Sequence, residues 1–371
     1  MDEFRTGSRD ESLSKLKILH IAPQNVSGVP GQWVAAERNL GYTSLLVTLF
    51  HDKRGYREDL CLELPFITFP PVRLLKRFIS AREKISVHNR LIIPDQLPPV
   101  WQPHSWLESK LIQLRDRIWR PIIERAIRKY GLDQFDVYQL DGGLDFSRQP
   151  RFIPQMKAAG KKVICCYTGS DLRTRGVIAE IDLLSDLVVS VEYDHLYLHP
   201  RLHHVFFPFQ ANDMPTRQEG ASANLRIGHA PTHRAAKGSE VILPILYRLA
   251  ERFPVEIVLI ENLPYAEALQ RKRTLSIFID QIGDLGYGIN SLEALSMGIP
   301  TCSCLVKGFA EKYPDHPFIE INAANLEDTL IRLIQQPTRK AELERAGRDW
   351  VKKYHDPIKV VQRIHLLAGI D

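Results

Sequence analysis

The sequence predicts an α/β protein made of two Rossmann-like lobes, and three observations predict it. Short apolar runs rich in β-branched residues alternate with longer helical patterns almost from end to end, the mark of βαβ units around a parallel sheet. The 371 residues exceed what one hydrophobic core usually organises. A stretch with no apolar period, PFQANDMPTRQEGASANL, divides the alternation into two series.

The first series follows a polar tail of mixed charge, residues 1–15, which lacks the apolar segment of a secretory signal. Its expected strands are Lys17–Ile21, Ser44–Leu49, Asp136–Leu140, Lys162–Cys166, Leu187–Val191 and Val205–Phe207, giving a first domain over 16–208. A linker is expected over 209–224. The second series has expected strands Leu225–His229, Val255–Ile260, Leu275–Asp280 and Thr301–Cys304, with helices over Ser239–Arg252 and from Asn290, giving a second domain over 225–350. Thr338–Ile370 reads as helix interrupted at Asp356–Pro357, because proline fits the first turn of a new helix; residues 351–371 are the closing segment. Ligands of open α/β sheets gather where the strand order reverses, so two facing sheets place a shared site in the cleft between them.

Composition excludes several classes. An apolar share of 44% with 25% charged residues is that of a folded chain, and no apolar run approaches the roughly 20 residues of a membrane-spanning helix. The five cysteines, Cys61, Cys165, Cys166, Cys302 and Cys304, lack C-x-x-C spacing and read as free thiols in a reducing cytoplasm. The net charge of +5 is uneven: residues 71–130 carry +8 and the remainder −3. There Arg73, Lys76, Arg77, Arg82, Lys84 and Arg90 alternate with Leu74, Leu75, Phe78, Ile79 and Ile85 at amphipathic spacing. Such a helix lies on anionic membrane or packs on its own core with a basic rim. With Phe78 as the lone aromatic, nucleic acid is not expected as a partner. A second helix over Ser105–Tyr130 places Leu111, Leu114, Ile118 and Ile122 at three- and four-residue steps, with a kink or break expected at Pro121. The expectation is a cytoplasmic protein that docks peripherally on the inner membrane face through residues 71–130.

Five strand-to-helix turns carry candidate chemistry. In DQIGDLGYGINSLEALSMGIPT, Gly286 and Gly288 allow close backbone approach, and Asn290 or Ser291 would cap a helix whose first amides accept an anion. Tyr287 either stacks on a base or fills the turn. Glu293 follows Asn290 by three residues, which suits a capping box as well as a carboxylate for a ribose diol. RIGHAPTHRAAKG carries His229, Thr232, His233, Arg234 and Lys237, and a guanidinium and an ammonium on one turn suit a diphosphate. His229 and His233 have helical metal spacing, but Pro231 argues for a turn, so no metal is expected. In the first series, PQNVSGVPGQW offers Gly28 and Gly31, QLDGG offers Asp141, and YTGSDLR offers Gly169, Ser170 and Asp171. The two aspartates suit sugar hydroxyls or a base, and Asp171 suits an N-cap equally.

Taken together, HAPTHRAAKG, GYGINSLEALSMGIPT, GSDLR and the closing KKYHDPIKVVQRI resemble the retaining GT-B glycosyltransferases of the glycogen-synthase-like superfamily, family 4-like. The resemblance implies two lobes facing across a cleft, the last helix crossing back to the first. It implies transfer of a hexose from a nucleotide-diphosphate-sugar to a saccharide or lipid-linked acceptor in cell-envelope or polysaccharide biosynthesis, with retention, without cofactor or metal. Donor binding falls to His229, Thr232, Arg234, Lys237, Gly286, Tyr287, Gly288, Asn290 and Glu293, and acceptor binding to Gly28, Gly31, Asp141, Gly169 and Ser170. Glu293 matches the second carboxylate of E-x7-E, while Leu285 stands where the first belongs. Asp280 and Gln281, with Asp171, are expected to supply the catalytic groups, Asp284 being the other polar neighbour. The alternatives are a non-catalytic GT-B-like subunit and a nucleotide-sugar epimerase.

Overall fold

The computed structural model describes residues 16–52, 54–66, 98–218, 224–283 and 286–370. The polar tail, the amphipathic stretch from Arg73 to Arg90, residues 219–223 of the expected linker, Asp284 and Leu285 lie outside them.

The first lobe runs β1 (Lys17–Ala22), α1 (Val29–Asn39), β2 (Thr43–Thr48), β3 (Leu60–Cys61), α2 (Trp106–Tyr130), β4 (Val137–Asp141), α3 (Phe152–Ala158), β5 (Lys162–Tyr167), α4 (Asp171–Thr174), α5 (Ala179–Leu184), β6 (Leu187–Ser190) and β7 (Leu202–His204). Its strands pair in parallel in the order β3-β2-β1-β4-β5-β6-β7, so the order reverses between β1 and β4. The second lobe runs β8 (Leu225–His229), α6 (Arg234–Lys237), α7 (Ser239–Arg252), β9 (Val255–Leu259), α8 (Tyr265–Lys272), β10 (Ile277–Gln281), α9 (Ile289–Met297), β11 (Thr301–Ser303), α10 (Phe309–Lys312), β12 (Ile319–Glu320) and α11 (Leu326–Gln335). Its order is β12-β11-β10-β8-β9, reversing between β8 and β10. The central strands β4, β5 and β10 are buried nearly throughout, as parallel strands covered by helices on both faces must be.

The chain closes with α12 (Pro337–Tyr354) and α13 (Pro357–Ala368). Asp356 accepts the amides of Ile358 and Lys359, and Pro357 occupies the first turn, which starts α13 where the sequence placed its break. This last helix packs on α1 of the first lobe, and Lys162 reaches the carbonyl of Gly369 at 2.9 Å.

Two expectations are corrected. α2 runs unbroken through Pro121, which lies on its exposed side where the lost hydrogen bond faces water. β7 ends at His204, not Phe207, because Phe206 and Phe207 turn into an aromatic core. Within the expected linker, the amides of Phe209, Arg217 and Gln218 donate to the carbonyls of His355, Met297 and Arg273.

That aromatic core joins the lobes. Tyr193, Phe206 and Phe207 of the first meet Phe309, Trp350 and Tyr287 of the second with ring centroids 5.3, 5.8 and 6.3 Å apart. His355, between α12 and α13, donates from Nδ1 to the Phe207 carbonyl at 2.8 Å, and burial pushes its pKa down to about 3, so it sits there neutral.

A polar chain lies buried beneath the first sheet. His20 has Nδ1 2.9 Å from Asp141 and Nε2 3.0 Å from Glu37. Ser44 and His365 of α13 also hold Glu37, at 2.5 and 3.2 Å, and Gln139 donates to Asp141 at 2.9 Å. Burial opposes the charge on His20, yet Glu37 and Asp141 raise its pKa to about 10. Burial likewise opposes the charge on Glu37, but His20, His365 and Ser44 lower its pKa to about 2. Because the folded pKa of His20 exceeds its ordinary 6.5, its stabilisation is full below that value and is lost as pH rises toward 10. The stabilisation from Glu37 is present above 4.5 and is lost as pH falls toward 2. We predict that His20→Ala, which leaves two buried carboxylates without their cation, costs about 3–5 kcal/mol near pH 6. The gap between wild type and variant in urea unfolding should shrink as pH rises from 6.5 to 10; a gap independent of pH would refute the assignment.

Candidate functional site

The candidate site of the second lobe stands where β8 and β10 part. β10 ends in Asp280 and Gln281, both buried. Lys237, the last residue of the single turn α6, donates to Asp280 Oδ1 at 2.6 Å. Ser291 and the amide of Gly288 donate to Oδ2 at 2.7 and 3.3 Å. Burial alone would raise the pKa of Asp280, but Lys237, Ser291 and Gly288 hold it below the usual range, so the carboxylate is ionised. It clamps α6 to the start of α9. Gln281 Nε2 donates to the carbonyls of Gly286 and Cys304 at 2.7 and 2.9 Å, fixing the glycine turn, while its buried Oε1 has no partner among the described residues. Two of the three residues expected to be catalytic, Asp280 and Gln281, thus brace the turns around the end of β10, with both Asp280 oxygens engaged.

Gly286 has φ 67°, and a Cβ there would come 3.1 Å from Val306, so this turn needs glycine. Gly288 caps α9 through its backbone; Asn290 and Ser291, expected as caps, lie inside the first turn. By helical geometry, the amides of that turn lack partners within the helix and present their dipole at the end of β10. Glu293 forms no capping box. It pairs with buried Lys272, whose ammonium also donates to Asn290 Oδ1 at 2.8 Å, and Asn290 donates to the Ala230 carbonyl at 3.1 Å.

Three expected donor residues stand elsewhere. His229 is buried, its ring nitrogens 2.9 Å from the Ile279 carbonyl and 2.8 Å from Ser239 Oγ, so it braces the sheet. Tyr287 lies inside the aromatic core, 4.7 Å from Phe318 by ring centroids with its hydroxyl 3.3 Å from His355, leaving no face for a base. Arg234 grips Glu261 through two hydrogen bonds of 2.8 and 2.6 Å and its side chain is 54% exposed; that of Lys237 is 14% exposed. The cationic pair is therefore not brought together on one target: Lys237 joins Asp280, Gly288 and Ser291, while Arg234 faces the end of β9. Thr232 is exposed on the same turn.

In the first lobe the β1–β4 reversal gathers Gly28, Gly142 and Asp171. Gly28 has φ 73° at the start of α1, and a Cβ on it would come 3.1 Å from the Tyr56 ring. The amide of Gly31 donates to Asn25 Oδ1 at 3.1 Å, closing the turn. Asp171 Oδ2 accepts from the Thr168 amide and hydroxyl at 3.2 and 3.3 Å. It is not the cap of α4, which begins after Ser170. Gly169 and Ser170 lie in the same turn, Gly169 with open space beside it. Asp141 is not at the surface of this site, since His20 and Gln139 take its two oxygens in the core.

Across the cleft, Tyr56 of the first lobe meets Tyr265 of the second with ring centroids 6.3 Å apart, and both feel the charge of Glu293. Glu192, after β6, lines one gap with Gly286 and Val306 and feels the charge of Lys237. Tyr56, Glu192, Tyr265 and Lys272 were not anticipated. None belongs to a glycine turn, and only Lys272, in a basic run, had a visible charge signal. Among the described residues, His51, Glu58 and Cys61 stand close enough to share an ion, and His51 is also 3.1 Å from Glu63.

No protein-family model matches the chain, and no curated protein does. Among solved structures it is similar to HepE of Anabaena in complex with UDP and glucose, at 12% identity and a TM-score of 0.58 over 95% of this chain and 99% of that one. It is similar to the sucrose-phosphate synthase of Thermosynechococcus elongatus, at 11% identity and a TM-score of 0.58 over 96% and 98%. It is also similar to the apo form of the lipopolysaccharide outer core galactosyltransferase WaaB, at 12% identity and a TM-score of 0.55 over 95% and 99%. The expected architecture is borne out: the chain has the GT-B fold, two Rossmann-like lobes with the last helix returned to the first.

Proposed function

We propose that the chain is a glycosyltransferase that takes a sugar from a nucleotide-diphosphate donor held on the second lobe. The observation that carries this reading is the convergence of the Lys237 ammonium, the glycine turn and the start of α9 at the β8–β10 reversal, opposite the first lobe. Lys237 has three donors and Asp280 takes one, so the ammonium can also serve a diphosphate whose negative charge grows as the sugar departs. Gly286, Gly288 and the first amides of α9 bring backbone donors to the same phosphates. Glu293, fixed by Lys272 and beside Tyr265, is placed for the ribose, and Thr232 and Asn290 complete the donor wall. Gly28, Gly169, Ser170 and Asp171 form the facing acceptor wall.

Solved neighbours bind UDP and UDP-glucose, which makes uridine the first base to test. Retention, a hexose as the moved group, an envelope or polysaccharide acceptor and independence from metal are the finer parts of the proposal, and the resemblance of the turns supports them. Purified protein given UDP-glucose and other nucleotide sugars should release the nucleoside diphosphate, with the rate unchanged by EDTA. Lys237→Ala should lower kcat/KM about 10²–10³-fold, as losing one preorganised donor to developing charge does. Arg234→Ala should cost less than Lys237→Ala, since Glu261 already holds the guanidinium. Absence of release with every donor, or an unaffected Lys237→Ala, would refute the reading.

Docking on an anionic membrane face is supported by α2. Leu107, Leu111, Leu114, Ile118 and Ile122 form an exposed stripe at three- and four-residue steps, and Trp106 next to it is 75% exposed. Exposed Lys110, Arg117 and Arg125 accompany it on the same helix. No helix of the described residues is long and apolar enough to cross a membrane. The protein should co-sediment with phosphatidylserine vesicles and far less with phosphatidylcholine ones, and Leu114→Glu with Ile118→Glu should abolish it. Equal binding to both vesicle types would count against an electrostatic dock.

A further inference from the structure

The connection from β2 into β3 brings three metal-ligating side chains of different kinds to one place. His51, Glu58 and Cys61 offer a nitrogen, an oxygen and a sulfur that all lie within 4.8 Å of one another. The backbone beneath them is held from several sides. Gln24 donates to the His51 carbonyl at 2.9 Å and Asn25 to the Arg57 carbonyl at 2.7 Å, while Asp59 accepts the Leu46 amide at 2.8 Å. Cys61 lies in β3, in register with Thr48 of β2. Glu58 is turned inward, its side chain 6% exposed, whereas that of His51 is 62% exposed.

His51 is oriented as a ligand. Its Nε2 is 3.1 Å from Glu63 Oε1, and its Nδ1 faces Glu58 Oε1. With the ring proton on Nε2 and donated to Glu63, the Nδ1 lone pair points at a carboxylate, an arrangement that repels unless positive charge sits between them. A second ring proton would supply that charge, and so would a metal ion. The adjacent sulfur favours the ion, because a protonated ring paired with Glu58 has no use for a thiol, whereas a cation between nitrogen and oxygen does. A histidine that gives its other N–H to a carboxylate is the usual arrangement around a bound metal.

We propose that His51 Nδ1, the Glu58 carboxylate and Cys61 Sγ bind one zinc ion, with Glu63 orienting the His51 ring. The mixed donor set suits zinc, which accepts nitrogen, oxygen and sulfur at about 2.0–2.3 Å, and disfavours calcium and magnesium, which take oxygen. Binding replaces the thiol proton, which leaves to solvent, by the zinc–sulfur bond; thiolate and carboxylate together neutralise the dication. Ligands at that distance from one centre stand about 3.3–3.8 Å apart, so binding draws the three atoms together, a movement open to the exposed His51 ring. The ion would tie His51 to β3 on either side of Tyr56, whose ring lies against Gly28 and 6.3 Å from that of Tyr265. No residue of the donor wall is a ligand, so the proposal stands apart from the sugar-transfer reading and from the metal independence of that step.

The test uses the full untagged chain, stripped with EDTA and dialysed against Zn2+. Wild type should retain one zinc per chain by elemental analysis. Cys61→Ser and His51→Ala should weaken binding at least about 100-fold, and Glu63→Gln about 10–100-fold, as loss of an orienting carboxylate does. Loaded with Co2+ instead, wild type should show the near-ultraviolet absorption of a thiolate–cobalt bond, absent from Cys61→Ser. In wild type alone, zinc should shield Cys61 from alkylation, read peptide by peptide, and leave the other partly exposed thiol, Cys304, as reactive as before. If zinc leaves the alkylation of Cys61 unchanged, or Cys61→Ser holds zinc as wild type does, His51 is only the protonated partner of two glutamates and the proposal fails. Retention of Mg2+ in preference to Zn2+ would overturn it as well.

Discussion

Two parallel sheets, each with a strand-order reversal, make a bipartite site only if their reversals face one another, and here a shared aromatic core keeps them facing. Phe206 and Phe207 leave the end of the first sheet and, with Tyr193, meet Tyr287, Phe309 and Trp350 of the second lobe. Such rings bury large areas and pack edge to face, so separating the lobes would expose apolar surface. Neutral His355 sews the same region to the backbone at Phe207 and Phe209.

A second constraint acts from the far side of the first lobe. Glu37 of α1 holds His20 of β1 and His365 of α13, so a buried ion chain ties the returning helix to the sheet. Such a group is costly to bury and strongly destabilising to leave half made, which favours one seating of the helix over its slipped alternatives. The price is a core whose integrity depends on pH at both ends of the scale.

Within the candidate site, rigidity comes from buried polar pairs. Asp280 spans α6 and α9, Gln281 anchors the Gly286 carbonyl, and Lys272 fixes Glu293. Each fixes a donor or acceptor in place, and under the proposed activity such preorganisation would let fixed dipoles act on developing charge without reorganising. In the first lobe Arg173 likewise bridges Asp194 and Glu192.

The alternation of apolar runs determined the α/β class, the strands and the division in two, because the two-residue and 3.6-residue periods record which faces are buried. The glycine turns were legible too, since Gly286 and Gly28 sit at positive φ that other residues resist. Two-residue strands such as β3 and β12 are too short to carry a period, and were not. Only the tertiary structure decided what each charged side chain faces. Arg234 and Lys237 stand three residues apart on one turn, yet one faces Glu261 and the other Asp280. Asp141 and Tyr287, at turns that suggested ligands, are core residues. Glu192 and Gly286 line one gap through a fold that joins segments almost a hundred residues apart. Burial and pairing are properties of neighbours in space, and a local pattern of residue types records only neighbours along the chain.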